Sequence, residues 1–195
     1  VLLDVRSCAE FGAAHVPGSV NIGLGGQFAM WAGSLIPLNA AIVIIAGTGD
    51  QVDESVVRLA RVGIENVKGY LNGGIQSWRD AGLPIEAIEQ VSVDQLKEQI
   101  ANRDLQIVDV RRPAEYGNGH VPRALNAPLA VLDAVIGELP LQKDKPTAVI
   151  CAGGYRSSAA ASLLEQQGFT NLINVSGGTG AWINAGYPVE TPSAK

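Results

Sequence analysis

The stretch Leu105-Gln106-Ile107-Val108-Asp109-Val110-Arg111-Arg112-Pro113-Ala114-Glu115-Tyr116 decides the fold, because it occurs twice. Val108-Asp109-Val110-Arg111 repeats Leu3-Asp4-Val5-Arg6, and Ala114-Glu115-Tyr116-Gly117 repeats Ala9-Glu10-Phe11-Gly12. His120-Val121-Pro122 repeats His15-Val16-Pro17, and Asn126 repeats Asn21. One offset of 105 (109 minus 4, 120 minus 15) relates all these pairs and still holds between Gly63 and Gly168. Further on, Asn72-Gly73-Gly74 with Trp78 matches Ser176-Gly177-Gly178 with Trp182 at an offset of 104 (182 minus 78), a single-residue deletion of the kind loops absorb. Units of about 100 residues are too long for solenoid repeats and long enough to be domains. The duplication predicts two domains, 1–88 and 89–195, with Gly82 through Gln90 as the linker and the boundary near Ile88.

Within the second unit, Leu105 to Val110 is a β-branched apolar run suited to a strand buried on both faces, as are Thr147 to Ile150 and Leu172 to Val175. Between them lie helical patterns: one opened by Ser92 with Gln95 as a capping box, one over Ser157 to Gln167 ending at Gly168, and one over Thr179 to Ala185 ending at Gly186. Strands alternating with helices predict an α/β fold, a central parallel sheet with helices on both faces in each domain. Ligands of such sheets bind at the carboxyl ends of strands, which directs attention to the loop after Ile150.

Composition narrows the function. Of 195 residues, 47% are hydrophobic and only 5% aromatic, which suits helix-on-sheet packing. A net charge of −5 with no basic run beyond Arg111-Arg112 gives no footprint for nucleic acid. No apolar stretch approaches the roughly 18 residues that span a bilayer, and no signal-peptide pattern opens the chain. The two cysteines, Cys8 and Cys151, fall in different halves, so the expectation is a reducing, cytoplasmic setting without a disulfide framework. Because Val1 already stands inside a strand pattern, further sequence upstream is expected.

The loop reads Cys151-Ala152-Gly153-Gly154-Tyr155-Arg156-Ser157-Ser158. Adjacent glycines permit positive φ, so that successive N–H groups can converge on one point and form an anion nest. The following helix dipole and the charge of Arg156 both favour a thiolate at Cys151. Arg156 also has a purely structural reading as an anchor for the loop, Ser157 reads mainly as the helix N-cap, and Tyr155 either lines the pocket mouth or covers the loop. His15 and His120, present in both copies, read as structural; Asp109, Arg111 and Glu115 read as a charge network at the strand–helix junction. Cys8, at the place of Pro113, reads as a passive thiol.

This stretch resembles the active-site loop of the rhodanese (sulfurtransferase) family, in which a Cys, four intervening residues, an Arg and a Ser follow one another. Asp109-Val110-Arg111, Gly119-His120-Val121-Pro122 and Gly177-Gly178 with Trp182 resemble its other signatures, so the likeness spans both units. It implies two rhodanese-like three-layer domains. It also implies a two-step transfer: the Cys151 thiolate takes sulfane sulfur from thiosulfate or a low-molecular-weight persulfide, and a thiol or cyanide then removes it. Ala152, Gly153, Gly154, Tyr155, Arg156 and Ser157 would hold the substrate and the persulfide, with neither metal nor cofactor. The rivals are a Cdc25-like phosphatase or arsenate reductase, which shares the fold but places five residues between Cys and Arg, and a non-catalytic sulfur-carrier or docking module.

Subtracting 105 from Cys151 and Arg156 gives Ala46 and Gln51, so the first unit lacks the nucleophile, and Asp50, Asp53 and Glu54 surround its turn with negative charge or cap its helix. It is expected to be a non-catalytic rhodanese-like domain. Gln27-Phe28-Ala29 and Trp31-Ala32-Gly33 resemble the degenerate rhodanese unit attached to metallo-β-lactamase-fold persulfide dioxygenases, which implies such a domain upstream; the alternative is an ordinary amphipathic core segment. With only two histidines and no clustered ligand pattern, no metal site is expected in this chain.

Overall fold

Strand β1 (Leu2–Asp4) runs parallel to β2 (Val20–Asn21) on one side and β3 (Ile42–Ile45) on the other, and β3 pairs with β4 (Val67–Tyr70), giving the order β2-β1-β3-β4. This is a computed structural model that describes residues 1–102 and 104–191. Its two compact units are Val1–Ala87 and Ile88–Lys195. In the first, helices α1 (Cys8–Ala13), α2 (Phe28–Leu35), α3 (Gly49–Ala60) and α4 (Gly74–Asp80) alternate with the strands. Local chemistry sets their starts. Ser7 Oγ accepts from the Glu10 N–H while the Glu10 carboxylate accepts from the Ser7 N–H, a reciprocal cap on α1. Thr48 Oγ1 accepts from the Gln51 N–H at 3.3 Å and opens α3.

The second unit contains β5 (Glu89–Val91), α5 (Val93–Asn102), β6 (Gln106–Asp109), α6 (Pro113–Gly117), β7 (Leu125–Asn126), a short α7 (Leu132–Val135) between two 3₁₀ turns, β8 (Thr147–Ile150), α8 (Tyr155–Gln166), β9 (Leu172–Val175) and α9 (Gly178–Asn184). Its sheet is parallel in the order β5-β9-β8-β6-β7. The chain leaves β6 for one edge and later crosses from β8 to β9 in the other direction, and right-handed crossovers in opposite directions place helices on opposite faces. Burial agrees: Ile107, Ala148, Ile150 and Val175 pack with Leu96 and Trp182 in one core, while Val108 and Val149, alternating to the other face, are equally buried. Both units are therefore α/β with parallel sheets, as the duplicated pattern predicts. Ser92 and Gln95 bond reciprocally and start α5 as expected.

Three local readings change, and one of two open alternatives fits. Gly82 through Gln90 is not a free linker. Trp78 Nε1 donates to Pro84 O and Glu86 exchanges backbone bonds with His15, while Glu89 and Gln90 already belong to β5. Trp182, Pro188, His120 and Glu190 repeat this latch in the second unit, so the segment is part of the duplicated fold. The Phe28 and Trp31 stretch forms α2 with both rings buried, and packing accounts for its apolar pattern. Ser157 does not cap α8; Gly154 does, in the left-handed region. Glu115 stays at the junction through the Arg112 N–H but does not join the Asp109–Arg111 pair; its side-chain partners are Arg112 and Arg156. Residues 192–195 of the expected second domain lie outside the described residues. Among the described residues no helix is long and apolar enough to cross a membrane.

Candidate active site

Strand β8 is flanked by β6 and β9, and the residue after its last member is Cys151, 1% exposed. The thiol thus sits where the parallel strands end, at the switch between chain directions that forms ligand crevices in such sheets. Ala152 and Gly153 form an exposed lip, and the chain then turns inward at Gly154, whose φ of 98° is one that glycine adopts without strain. This turn aims the Gly154 N–H at Cys151 Sγ, 3.1 Å away. Ser157, one turn into α8 and fully buried, brings its hydroxyl to 3.4 Å from the same sulfur.

The carbonyls of the loop are held from behind. Thr179 N–H donates to Cys151 O at 2.8 Å and Gly180 N–H to Ala152 O at 3.1 Å, both from the first turn of α9. Asn174 Nδ2 reaches Gly154 O at 3.4 Å and Gln90 Oε1 at 2.8 Å. With these carbonyls taken by α9 and by Asn174 of β9, the loop turns the Gly154 amide to the sulfur. Among the described residues, the buried Asn174 Oδ1 and Thr179 Oγ1 at this site have no hydrogen-bond partner.

Arg156 points into the cluster around α6. Its Nη1 donates to Glu115 Oε2 at 2.9 Å and its Nη2 to Glu115 Oε1 at 2.7 Å, a bidentate pair. Arg112 adds a bond from Nε to Glu115 Oε2 at 2.9 Å. The hydrogen bonds from Arg156, and then those from Arg112, outweigh burial and hold the Glu115 carboxyl at about 2. Glu115 raises the Arg156 pKa in return. The buried Asp109–Arg111 pair is separate: Arg111 binds both Asp109 oxygens and the Gly119 carbonyl, stitching the end of β6 to the chain after α6. The histidines serve packing. His120 stacks on Tyr116 and His15 on Phe11, each with Nδ1 at the carbonyl of that ring's own residue.

The loop residues expected from sequence, Cys151 through Ser157, are thus brought together. Glu115, Asn174 and Thr179 were missed as parts of the site. Comparing the two copies could have found two of them. By strand register Tyr70 replaces Asn174, and by the 104 offset Ile75 replaces Thr179, so both polar residues occur only beside the cysteine.

In the first unit Ala46 holds the place of the thiol and Val52 that of Ser157. Gln51 folds back so that its Oε1 accepts from the Gly47 N–H at 2.8 Å. A side chain from the first turn of α3 therefore occupies the amide that corresponds to that of Ala152 in the second unit. A cavity of about 290 Å³ remains, lined by Ala46, Thr48, Val52, Tyr70, Leu71 and Gly74 among others.

Two parallel sheets, each with a strand–loop–helix unit at its carboxyl edge and a Gly-Gly turn behind it, define a tandem α/β protein of one duplicated domain. The family profile described as Rhodanese-like domain matches residues 1–81 and 92–185, and the chain belongs to that family. A curated relative named Sulfurtransferase, from Allochromatium vinosum, is 33% identical over 106 residues, 54% of this chain and 97% of its own length. Thiosulfate sulfurtransferase GlpE of Shewanella oneidensis is 34% identical over 101 residues, 52% of this chain and 98% of its own. Among solved structures, a rhodanese-related protein from Thermoplasma volcanium is 37% identical, with 52% of this chain and 97% of that one covered and a TM-score of 0.48.

Proposed function

We propose that the second unit is a sulfurtransferase that carries sulfane sulfur covalently on Cys151, and that the first is a non-catalytic copy. The observation that carries this reading is the pair of donors on one sulfur: the Gly154 N–H and the Ser157 hydroxyl converge on Cys151 Sγ at the start of α8. Donors converging on one sulfur are placed to receive the negative charge that a transferred sulfur atom carries. The relatives named sulfurtransferase agree with it.

In the first step the Cys151 thiolate attacks the outer sulfur of thiosulfate. The S–S bond breaks, sulfite leaves with its electron pair, and Cys151 becomes a persulfide anion. With an organic persulfide the leaving group is the parent thiolate. In the second step an acceptor thiolate or cyanide attacks the outer sulfur of the Cys151 persulfide, forming a new persulfide or thiocyanate and returning the thiolate. No net oxidant or reductant enters. The Gly154 N–H and its neighbours in the loop hold the persulfide charge as an oxyanion hole holds a developing oxyanion. Residues Ala152 to Arg156 form the cradle, and Ser157 supplies the side-chain donor.

On this reading the substrates are small sulfur-containing anions or persulfides and the acceptor is a thiol, in a reducing cytoplasm. The four residues between Cys151 and Arg156 favour sulfur over a tetrahedral phosphate. An upstream metallo-β-lactamase-fold domain draws no support from α2, which core packing explains. The test is thiocyanate formation from thiosulfate or a persulfide with cyanide, run beside hydrolysis of an aryl phosphate. Sulfur transfer lost in Cys151→Ser, with no phosphate release, is the expected result; phosphate release without sulfur transfer would overturn the proposal.

A further inference from the structure

Glu115 carries two kinds of contact that sequence reading merges. One is a helix-start bond: its carboxylate accepts from the Arg112 N–H at 3.2 Å, as Glu10 accepts from the Ser7 N–H at 3.0 Å in the first unit. The other exists only beside the cysteine: the two-pronged pair with Arg156. In the first unit Gln51 replaces that arginine, and Glu10 Oε1 lies 3.9 Å from where a Cβ on Gly47 would sit, so the acid there still borders the loop, facing an uncharged amide side chain in place of the arginine.

The pairing has an electrostatic consequence. Arg156 stands in the first turn of α8 beside Ser157, whose hydroxyl is 3.4 Å from Cys151 Sγ, yet its charge is offset by a carboxylate in contact. Arg112 shares the same carboxylate from an exposed position, where water screens it. Resting on the assignment of Cys151 as sulfur carrier, we infer that Glu115 sets the charge selectivity of the cradle. By neutralising Arg156 it disfavours a dianionic donor such as thiosulfate and favours sulfane sulfur presented on a small organic thiol, a low-molecular-weight persulfide of lower charge. The transfer balances as R–S–S⁻ plus the Cys151 thiolate giving R–S⁻ plus the Cys151 persulfide anion.

Glu115→Gln is the informative variant, because glutamine still accepts the helix-start bond while the charge is gone; Glu115→Asp keeps the charge. The first readout needs no sulfur transfer: the ratio of Cys151 alkylation rates with anionic iodoacetate and neutral iodoacetamide, followed on the Cys151 peptide by mass. The ratio should rise about threefold or more in Glu115→Gln, as expected for one unit charge removed at the edge of a partly screened site, and stay near wild type in Glu115→Asp. The second readout is kcat/KM for thiosulfate relative to cysteine persulfide, which should shift toward thiosulfate in Glu115→Gln. An unchanged alkylation ratio, or an equal loss with both reagents and both donors, would overturn the inference and leave Glu115 a purely structural acid. A shifted alkylation ratio in a protein that transfers no sulfur would instead overturn the proposed function while the charge effect stands.

Discussion

A Cβ placed on Gly178 would lie 2.3 Å from the carbonyl oxygen of Cys151. It would also meet Ala152 C at 2.6 Å and Gly153 N at 2.7 Å, all backbone atoms that cannot swing aside. The sulfur loop and the start of α9 are therefore in backbone contact, and α9 positions the loop through the Thr179 and Gly180 amides. Gly178→Ala should push the loop away from α9, abolish sulfur loading at Cys151 and lower stability by about 2–4 kcal/mol. Urea unfolding with a loading assay checks both; a loaded variant of near-native stability would contradict the packing argument.

Acid should remove one contribution in a defined window. The Glu115 carboxyl falls from 4.5 to about 2 because of Arg156 first and then Arg112. A carboxyl depressed in the folded state adds stability that is full above its unfolded value, starts to fade below about pH 4.5 and is gone near pH 2. Solvent at the pair's edge reduces that contribution to about 1–2 kcal/mol. The stability gap between wild type and Glu115→Gln should therefore be constant from pH 8 to about 5 and narrow below it. Urea midpoints across this range measure it, and a gap that did not change with pH would count against the ion pair.

Arg123 sits at φ 69°, where the first unit has Gly18 at φ 74°. The left-handed conformation costs a residue with a Cβ about 1–2 kcal/mol, partly offset by the greater unfolded-state freedom of glycine. Arg123→Gly should stabilise the chain by about 0.5–1 kcal/mol, because the backbone bond from Arg123 N–H to Glu190 is kept. Thermal unfolding would show it; destabilisation would mean that the arginine side chain does structural work beyond its backbone.

How much of this could be read from residues alone follows from where the information lies. Offsets between Asp4 and Asp109 and between His15 and His120 carry the duplication, and alternation of apolar runs with capped helices carries the α/β class. The Cys151-to-Ser157 spacing carries the loop. What stayed hidden is the direction of side chains across space. Ser157 has the composition of a cap, yet Gly154 takes that place because a left-handed turn there points an amide at the sulfur. Glu115 shares a motif with the buried Asp109–Arg111 pair, but its partner is Arg156, 41 residues away. Asn174 sits inside an apolar strand, and only the register against Val149 brings it behind the loop.

Restoring the thiol alone should not revive the first unit. In Ala46→Cys the Gly47 amide would still be held by Gln51 Oε1, Val52 would offer no hydroxyl, and Asp50 would keep an acid in the first turn of α3, Glu54 being paired with Arg58. The double variant Ala46→Cys with Cys151→Ser should show no thiosulfate turnover above Cys151→Ser alone. Turnover near the wild-type rate would contradict the role assigned to the loop donors.

The most direct test of the account is the intact mass of the protein after treatment with thiosulfate or a low-molecular-weight persulfide, followed by removal of excess donor. The expected result is a gain of one sulfur atom, located on Cys151, discharged by cyanide and absent in Cys151→Ser. No gain with any donor, or a gain located on Cys8, would contradict it.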